Sequence, residues 1–161
     1  MCIRDRAYNG LGDLFVLLFF GYAAVGGTVL VTAGSLPPLT WFGATAAGVL
    51  TVNILVVNNI RDIETDRAAG RTNLPVVLGR RAGEWEYGLM LGIAYAIPFI
   101  LICKQIGTYW ALLPLLTLPQ GVRIWRILRS GLSGQALNPQ LGATAQLLLR
   151  YCVLLSIGLL L

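Results

Sequence analysis

Two aspartates four residues apart, Asp62 and Asp66, follow Asn58 at the same interval in the run Asn58-Asn59-Ile60-Arg61-Asp62-Ile63-Glu64-Thr65-Asp66-Arg67. On a helix this spacing puts all three on one face, drifting by about 40° per step. Like charges so placed repel by a few tenths of a kcal/mol, unless a cation joins them. Magnesium suits such a set. It is hard, prefers oxygen, and typically takes one or two carboxylates together with substrate phosphates and water. Arg61, Arg67, Arg71, Arg80 and Arg81 lie close by in sequence, and guanidinium suits phosphate oxygens. Asn58 adds a neutral oxygen ligand or a hydrogen bond to phosphate. The chemistry this pattern points to is a diphosphate held through Mg²⁺. An ordinary loop with ion pairs along its helix has the same composition, and spacing alone does not separate the two.

These residues must be positioned by membrane helices. The chain of 161 residues is 57% hydrophobic and 12% charged, with a mean hydropathy of +0.74. Soluble domains carry about 25% charged residues, so the excess apolar mass faces lipid. The apolar runs are long and unbroken, which excludes the short alternation of a barrel and gives an all-α, polytopic transmembrane bundle. Net charge is +5. In a membrane protein that is the signature of Lys and Arg in cytoplasmic loops. The basic residues have no aromatic interleaving, so no nucleic acid is expected as a partner. There is no His and no spaced Cys pair, which argues against zinc or haem.

Five spans are expected, near 11–31, 39–57, 87–103, 108–122 and 141–161, each sized against a ~30 Å hydrocarbon core. Gly21, Gly26 and Gly27 in the first suggest close helix packing. Asn53 in the second is either glue between helices or part of a cavity lining. Pro98 is an expected kink in the third. The fourth carries Pro114 and Pro119 and runs into Arg123, Arg126 and Arg129, an amphipathic end suited to lipid headgroups or to substrate. Asn138-Pro139 reads as an N-cap and first helical residue. Arg150 in the last span either points into the bundle or snorkels. The segment 58–86 between the second and third spans reads as a loop. It holds five arginines, five acids and the breakers Gly70, Pro75, Gly79 and Gly83, and long loops in compact proteins are often functional. The Gly34–Pro38 turn has no basic residue and the turn at Lys104 has one, whereas 58–86 has five and 123–138 has three. The alternation places the two Arg-rich loops, and so the Asn58–Asp66 face, on the cytoplasmic side.

The run Asn58 to Arg71 closely resembles the second aspartate-rich motif of the UbiA superfamily of intramembrane prenyltransferases. Within it, the run is most like that of the 1,4-dihydroxy-2-naphthoate polyprenyltransferases of menaquinone and phylloquinone synthesis. The similarity extends to Leu74 and Leu78-Gly79-Arg80-Arg81, and back to Tyr8-Asn9-Gly10-Leu11-Gly12-Asp13-Leu14-Phe15-Val16 and Phe19-Phe20-Gly21. The resemblance implies a nine-helix bundle in which two aspartate-rich motifs bind a polyprenyl diphosphate through Mg²⁺ at the cytoplasmic side. Its expected setting is the plasma (inner) membrane of a bacterium, among membrane lipid. Ionisation of the allylic carbon–oxygen bond gives a carbocation that an aromatic acceptor attacks. With 1,4-dihydroxy-2-naphthoate, carbon dioxide is lost and demethylmenaquinone forms. Carried onto this chain, Asp62 and Asp66 would be the catalytic metal ligands, and Asn58, Arg61, Arg67 and Arg71 would meet the diphosphate. Glu64 lies on another helix face and reads equally as a solvated charge.

The chain departs from that pattern in three places. The family's first motif, an Asn-Asp pair followed by further Asp at four-residue steps, is not found. Thr72-Asn73-Leu74-Pro75 stands where the family tends to keep a basic residue and no proline. Met1–Arg6 is charged and unlike the rest of the chain, an expected artefactual or non-native start before a domain of residues 7–161. The expectation is therefore the C-terminal part of a UbiA-type domain, with five of nine helices and half of a metal site, inactive alone. Other readings are a sibling enzyme with another aromatic acceptor, or a non-enzymatic transporter or assembly subunit. A CDP-alcohol phosphotransferase also clusters aspartates at a membrane surface, but its Asp-Gly and Ala-Arg elements are missing here.

Overall fold

The computed structural model describes residues 11–161. The expected non-native start at Met1–Arg6 and the family-like Tyr8-Asn9-Gly10 lie outside the described residues. All regular structure among the described residues is helical. Four helices are long and apolar enough to cross a membrane: α1 (Gly12–Ala33), α2 (Pro38–Arg61), α5 (Arg80–Cys103), and the run Gly134–Leu160, whose α-helical part is α7 (Asn138–Leu160). Two short helices, α3 (Ile63–Ala68) and α4 (Leu74–Leu78), lie between α2 and α5. A 3₁₀ segment, Tyr109–Thr117, leads into α6 (Leu118–Leu128).

Helix α2 is the centre of the bundle. Pro38 opens it at a position where a missing N–H costs nothing. Gly34 closes α1 in the left-handed conformation, its N–H donating to the Leu30 carbonyl. Among lipid chains the hydrophobic effect does not draw helices together, so association rests on close packing and hydrogen bonds. Both are visible. A Cβ at Gly21 would stand 2.8 Å from the Ala44 carbonyl and 3.0 Å from Gly48 Cα, so α1 and α2 touch backbone to backbone. Gly26 and Gly27, expected to serve the same purpose, face open space. The middle of α1, Leu17–Ala23, is wound as a π-helix, and this section carries Gly21 to the crossing.

The core gathers Val52, Val56, Val57 and Ile60 of α2 with Tyr87, Leu91, Ala94 and Tyr95 of α5 and Leu147, Tyr151 and Leu155 of α7. Its tyrosines each find a partner. Tyr151 donates to the Ala94 carbonyl at 2.5 Å, Tyr95 shares a hydrogen bond with Thr117 at 2.6 Å, and Tyr87 shares a longer one with Thr144.

Two expectations shift. Helix α5 begins at Arg80 rather than 87, because Gly83 is a packing residue and not a breaker: a Cβ there would meet Pro75 Cγ at 2.7 Å and Ile60 Cγ1 at 2.9 Å. The same helix runs through Pro98 to Cys103 without ending. The expected span 108–122 is not one α-helix. Its apolar half is the 3₁₀ segment, nine residues long, which at ~2 Å per residue reaches roughly 18 Å. Only with α6, eleven residues at ~1.5 Å each, does the pair reach about 34 Å.

Candidate functional site

The Asn58–Asp66 face is built by the end of α2 and its near-continuation into α3. The Asp62 N–H donates to the Asn58 carbonyl at 3.0 Å, and the Asp66 N–H to the Asp62 carbonyl at 2.8 Å. The i to i+4 ladder therefore passes through Asp62, although its backbone (φ −101°, ψ 13°) bends between the helices. Asn58, Asp62 and Asp66 occupy successive turns. Ile60, wedged against Gly83 and Pro75, fixes the end of α2 against α4 and α5.

Each carboxylate already has a cation. Arg61 grips Asp62 with both arms, Nε to Oδ1 at 2.7 Å and Nη2 to Oδ2 at 2.6 Å. That contact, helped by the charges of Arg61 and Arg71 and opposed by partial burial, holds the Asp62 carboxyl below its usual range. Arg61 also donates from Nη1 to Asn138 Oδ1 at 3.2 Å, which ties the motif to the start of α7. Asp66 is buried, with its side chain 11% exposed. It accepts from Arg71 Nη1 at 3.2 Å and from Asn73 Nδ2 at 2.9 Å. Arg71 N–H also reaches the Asp66 carbonyl, closing the turn after α3.

The remaining expected site residues separate. Arg67 pairs with Glu64 on an exposed face, apart from Asp62 and Asp66. Asn58 is half-buried, and among the described residues its side chain has no hydrogen bond. Arg80 bonds to Glu84 and donates to the Leu128 carbonyl at 2.6 Å, so it clamps the end of α6. Asn138 is not an N-cap: a 3₁₀ turn, Gly134–Leu137, runs straight into α7, and the Asn138 side chain is left free to receive Arg61.

Asn73 is a site residue that sequence reasoning misses. Its Oδ1 caps α4 by accepting from the Val76 N–H at 3.0 Å, while its Nδ2 holds Asp66. An Asn two residues before a proline at the start of an apolar run is an N-cap signal, so the departure from the family pattern at 72–75 is itself the clue. Deeper in the bundle, Asn53 is fully buried with neither side-chain atom paired among the described residues. Asp13 Oδ1 and Glu86 Oε2 are also buried without partners there. An unpaired buried polar group costs about 1–3 kcal/mol.

Among the described residues no three acids, cysteines or histidines gather into a set that could hold a metal unaided. The donor set present is two carboxylates and one amide oxygen on successive turns. That matches a cation which fills its remaining positions from phosphate and water. An ionised carboxylate offers about four lone-pair sites, so the arginine contacts do not exhaust either aspartate.

Known proteins are similar in sequence to this chain. A family model described as "UbiA prenyltransferase family" matches residues 7–136. The 1,4-dihydroxy-2-naphthoate octaprenyltransferase of Mycobacterium tuberculosis is 35% identical over 144 residues, 88% of this chain and 47% of that protein. The protein of the same name in Escherichia coli is 33% identical, over 89% of this chain and 46% of its own. UbiA prenyltransferase domain-containing protein 1 of Homo sapiens is 36% identical, over 88% and 41%. The chain spans about half the length of the curated relatives it matches. No solved structure matches it.

Proposed function

The chain belongs to the UbiA prenyltransferase family, and we propose that it forms part of an enzyme that transfers a polyprenyl group from polyprenyl diphosphate to 1,4-dihydroxy-2-naphthoate. In that reaction the prenyl carbon–oxygen bond breaks, the diphosphate leaves, a ring carbon of the acceptor takes the prenyl carbon, and carbon dioxide departs, giving the quinol form of demethylmenaquinone. The observation that carries the reading is the stack of Asn58, Asp62 and Asp66 on successive turns at the end of an apolar helix. The relatives named for this acceptor support the choice of substrate.

Asp62 and Asp66 would hold Mg²⁺, which when bound supplies charge neutralisation to the leaving diphosphate. Arg71 and Arg61 sit beside these carboxylates and would turn toward phosphate oxygens as diphosphate arrives. Arg67 takes a lesser part, because its pairing with Glu64 faces outward. The apolar bundle below the site excludes water from a developing carbocation. The motif end faces the cytoplasm of a bacterium, as the arginine distribution predicts.

A reading with another aromatic acceptor stands beside this one, because relatives whose names give no acceptor match the chain as well. UbiA prenyltransferase domain-containing protein 1 of mouse and human is 36–37% identical to this chain, no further from it than the naphthoate enzymes. Release of labelled carbon dioxide from carboxyl-labelled 1,4-dihydroxy-2-naphthoate, in transfer-competent enzyme containing this chain, distinguishes the two. Prenylation of another aromatic acceptor without that release rejects the first. For the site itself, Asp62→Asn with Asp66→Asn is expected to abolish Mg²⁺-dependent binding of a prenyl thiodiphosphate in calorimetry, and to abolish transfer. Unchanged binding in the double variant removes both residues from the metal site.

A further inference from the structure

Two arginines that the diphosphate site does not use line one cleft. It lies between α6 and α7 and has a volume of about 520 Å³. Arg123 of α6 and Arg150 of α7 stand on its walls with Gln120 and Gln140, and Ile127 and Ala143 supply apolar surface. No carboxylate lines it, and among the described residues neither arginine forms an ion pair. Every ion pair described lies at the motif or at the start of α5.

The depth of the two charges is readable. Asn138, at the start of α7, contacts Arg61 and so marks the motif end of the bundle. Arg150 is twelve residues further along, about 18 Å deeper by helix rise, where a bare charge in lipid is expensive. Its side chain does not stay there. Side chains on a helix lean toward its N-terminus, and Arg150 Nη1 donates to Gln120 Oε1 at 2.9 Å. Gln120 in turn donates to the Ala143 carbonyl at 2.9 Å, a level only about 7.5 Å from Asn138. The guanidinium is thus drawn back toward the motif end, within the reach of its side chain. Arg123 lies one further turn toward that end of α6. Both charges therefore lie on the motif side of the Arg150 backbone. The glutamine that anchors Arg150 spends its oxygen on one guanidinium N–H and leaves the others free.

We propose that this cleft binds the phosphate of a membrane-lipid headgroup, held between Arg123 and Arg150. Guanidinium pairs phosphate oxygens with charge-assisted, often two-fold hydrogen bonds. The cleft is far larger than one phosphate, so the adjoining glycerol fits beside Gln140, and the acyl chain leaves along Ile127. The bound anion neutralises two cations that no described residue pairs, which makes an anionic phospholipid a structural ligand of the α6–α7 pair.

The test is titration of the purified chain in neutral detergent with phosphatidylglycerol, phosphatidylcholine or inorganic phosphate, read by native mass spectrometry and by thermal midpoint. Phosphatidylglycerol is expected to bind and to raise the midpoint, phosphatidylcholine to do so less, and inorganic phosphate not at all. Arg123→Gln with Arg150→Gln should weaken phosphatidylglycerol binding roughly tenfold and erase its thermal effect. Arg123→Lys with Arg150→Lys should retain most of both. Removing the charge at Arg81 instead, at the same end of the bundle, should leave binding within about twofold. Should the double glutamine variant not fold, Arg123→Gln alone, at an exposed position, is expected to show part of the loss. Full binding in the glutamine variants, equal loss in the Arg81 control, or an equal effect of inorganic phosphate overturns the proposal.

Discussion

Asp62 and Asp66 differ in how they are held, and the difference sets what each substitution does. Asp66 is fixed from two sides, by Arg71 and by the amide of Asn73, which also caps α4. Asn73→Ala removes the cap and one of the two donors at once. Loss of an N-cap costs about 1 kcal/mol, so a lower unfolding midpoint is expected in denaturant titration, together with weaker prenyl thiodiphosphate binding. Asn73→Asp keeps the cap and puts a second negative charge at Asp66; it should retain more stability than Asn73→Ala and lose more binding. Asp62 has Arg61 as its partner, and its carboxyl is held below the ordinary 3.8. A depressed folded value means that the pair's contribution is complete above the unfolded value, near pH 4. It fades as pH falls through the lower folded value. Arg61→Leu returns Asp62 toward its ordinary range, so stability should vary less with pH below 4 than in the parent chain. Acid titrations followed by circular dichroism check this, and superimposable acid profiles reject it.

Between helices, the α1–α2 crossing depends on one glycine pair. Gly21 faces backbone atoms that cannot yield, the Ala44 carbonyl and Gly48 Cα. Gly21→Ala is therefore expected to destabilise by about 1–3 kcal/mol, the usual range for overpacking. Gly26→Ala and Gly27→Ala meet open space and should be neutral or slightly stabilising, since alanine is the better helix former. Thermal unfolding of the three variants in one detergent decides it, and equal behaviour of all three rejects the crossing. All three glycines carry the same sequence signal. A single helix cannot show which of its faces a partner will approach. The same limit explains Gly83, which reads as a loop breaker beside Gly79 and is in fact the contact point of α5 with Ile60 and Pro75. Gly79, with φ 86°, is the true break. At the same end of α5, Trp85 and Trp125 meet edge to face with Arg129 over both rings. Trp125 donates to the Glu84 carbonyl at 2.7 Å. The arginines at 123, 126 and 129 read as one stripe in sequence, yet they have different surroundings: Arg129 stacks on aromatic rings, and Arg123 lines a cleft.

Across the whole molecule, α5 carries the chain from the motif end at Arg80 to the far end at Cys103, so these two positions lie on opposite sides of a membrane. With Cys2 and Cys152 changed to Ser, Cys103 should react with an impermeant maleimide only from the side opposite to a cysteine placed at the exposed Glu64. Labelling of both from one side rejects the topology. The sequence alone determined the class of fold, because a mean hydropathy of +0.74 with 12% charge leaves lipid as the only solvent for so much apolar surface. It also determined the candidate site, because Asn58, Asp62 and Asp66 are related by helical spacing within a single segment, and spacing is a local property. Tertiary structure decided whatever depends on contacts between distant residues. It gave Arg61 to Asn138, Arg80 to the end of α6, and Arg150 to Gln120. No spacing rule reaches across 77 residues from Arg61 to Asn138; only the packing of α2 against α7 brings their side chains together.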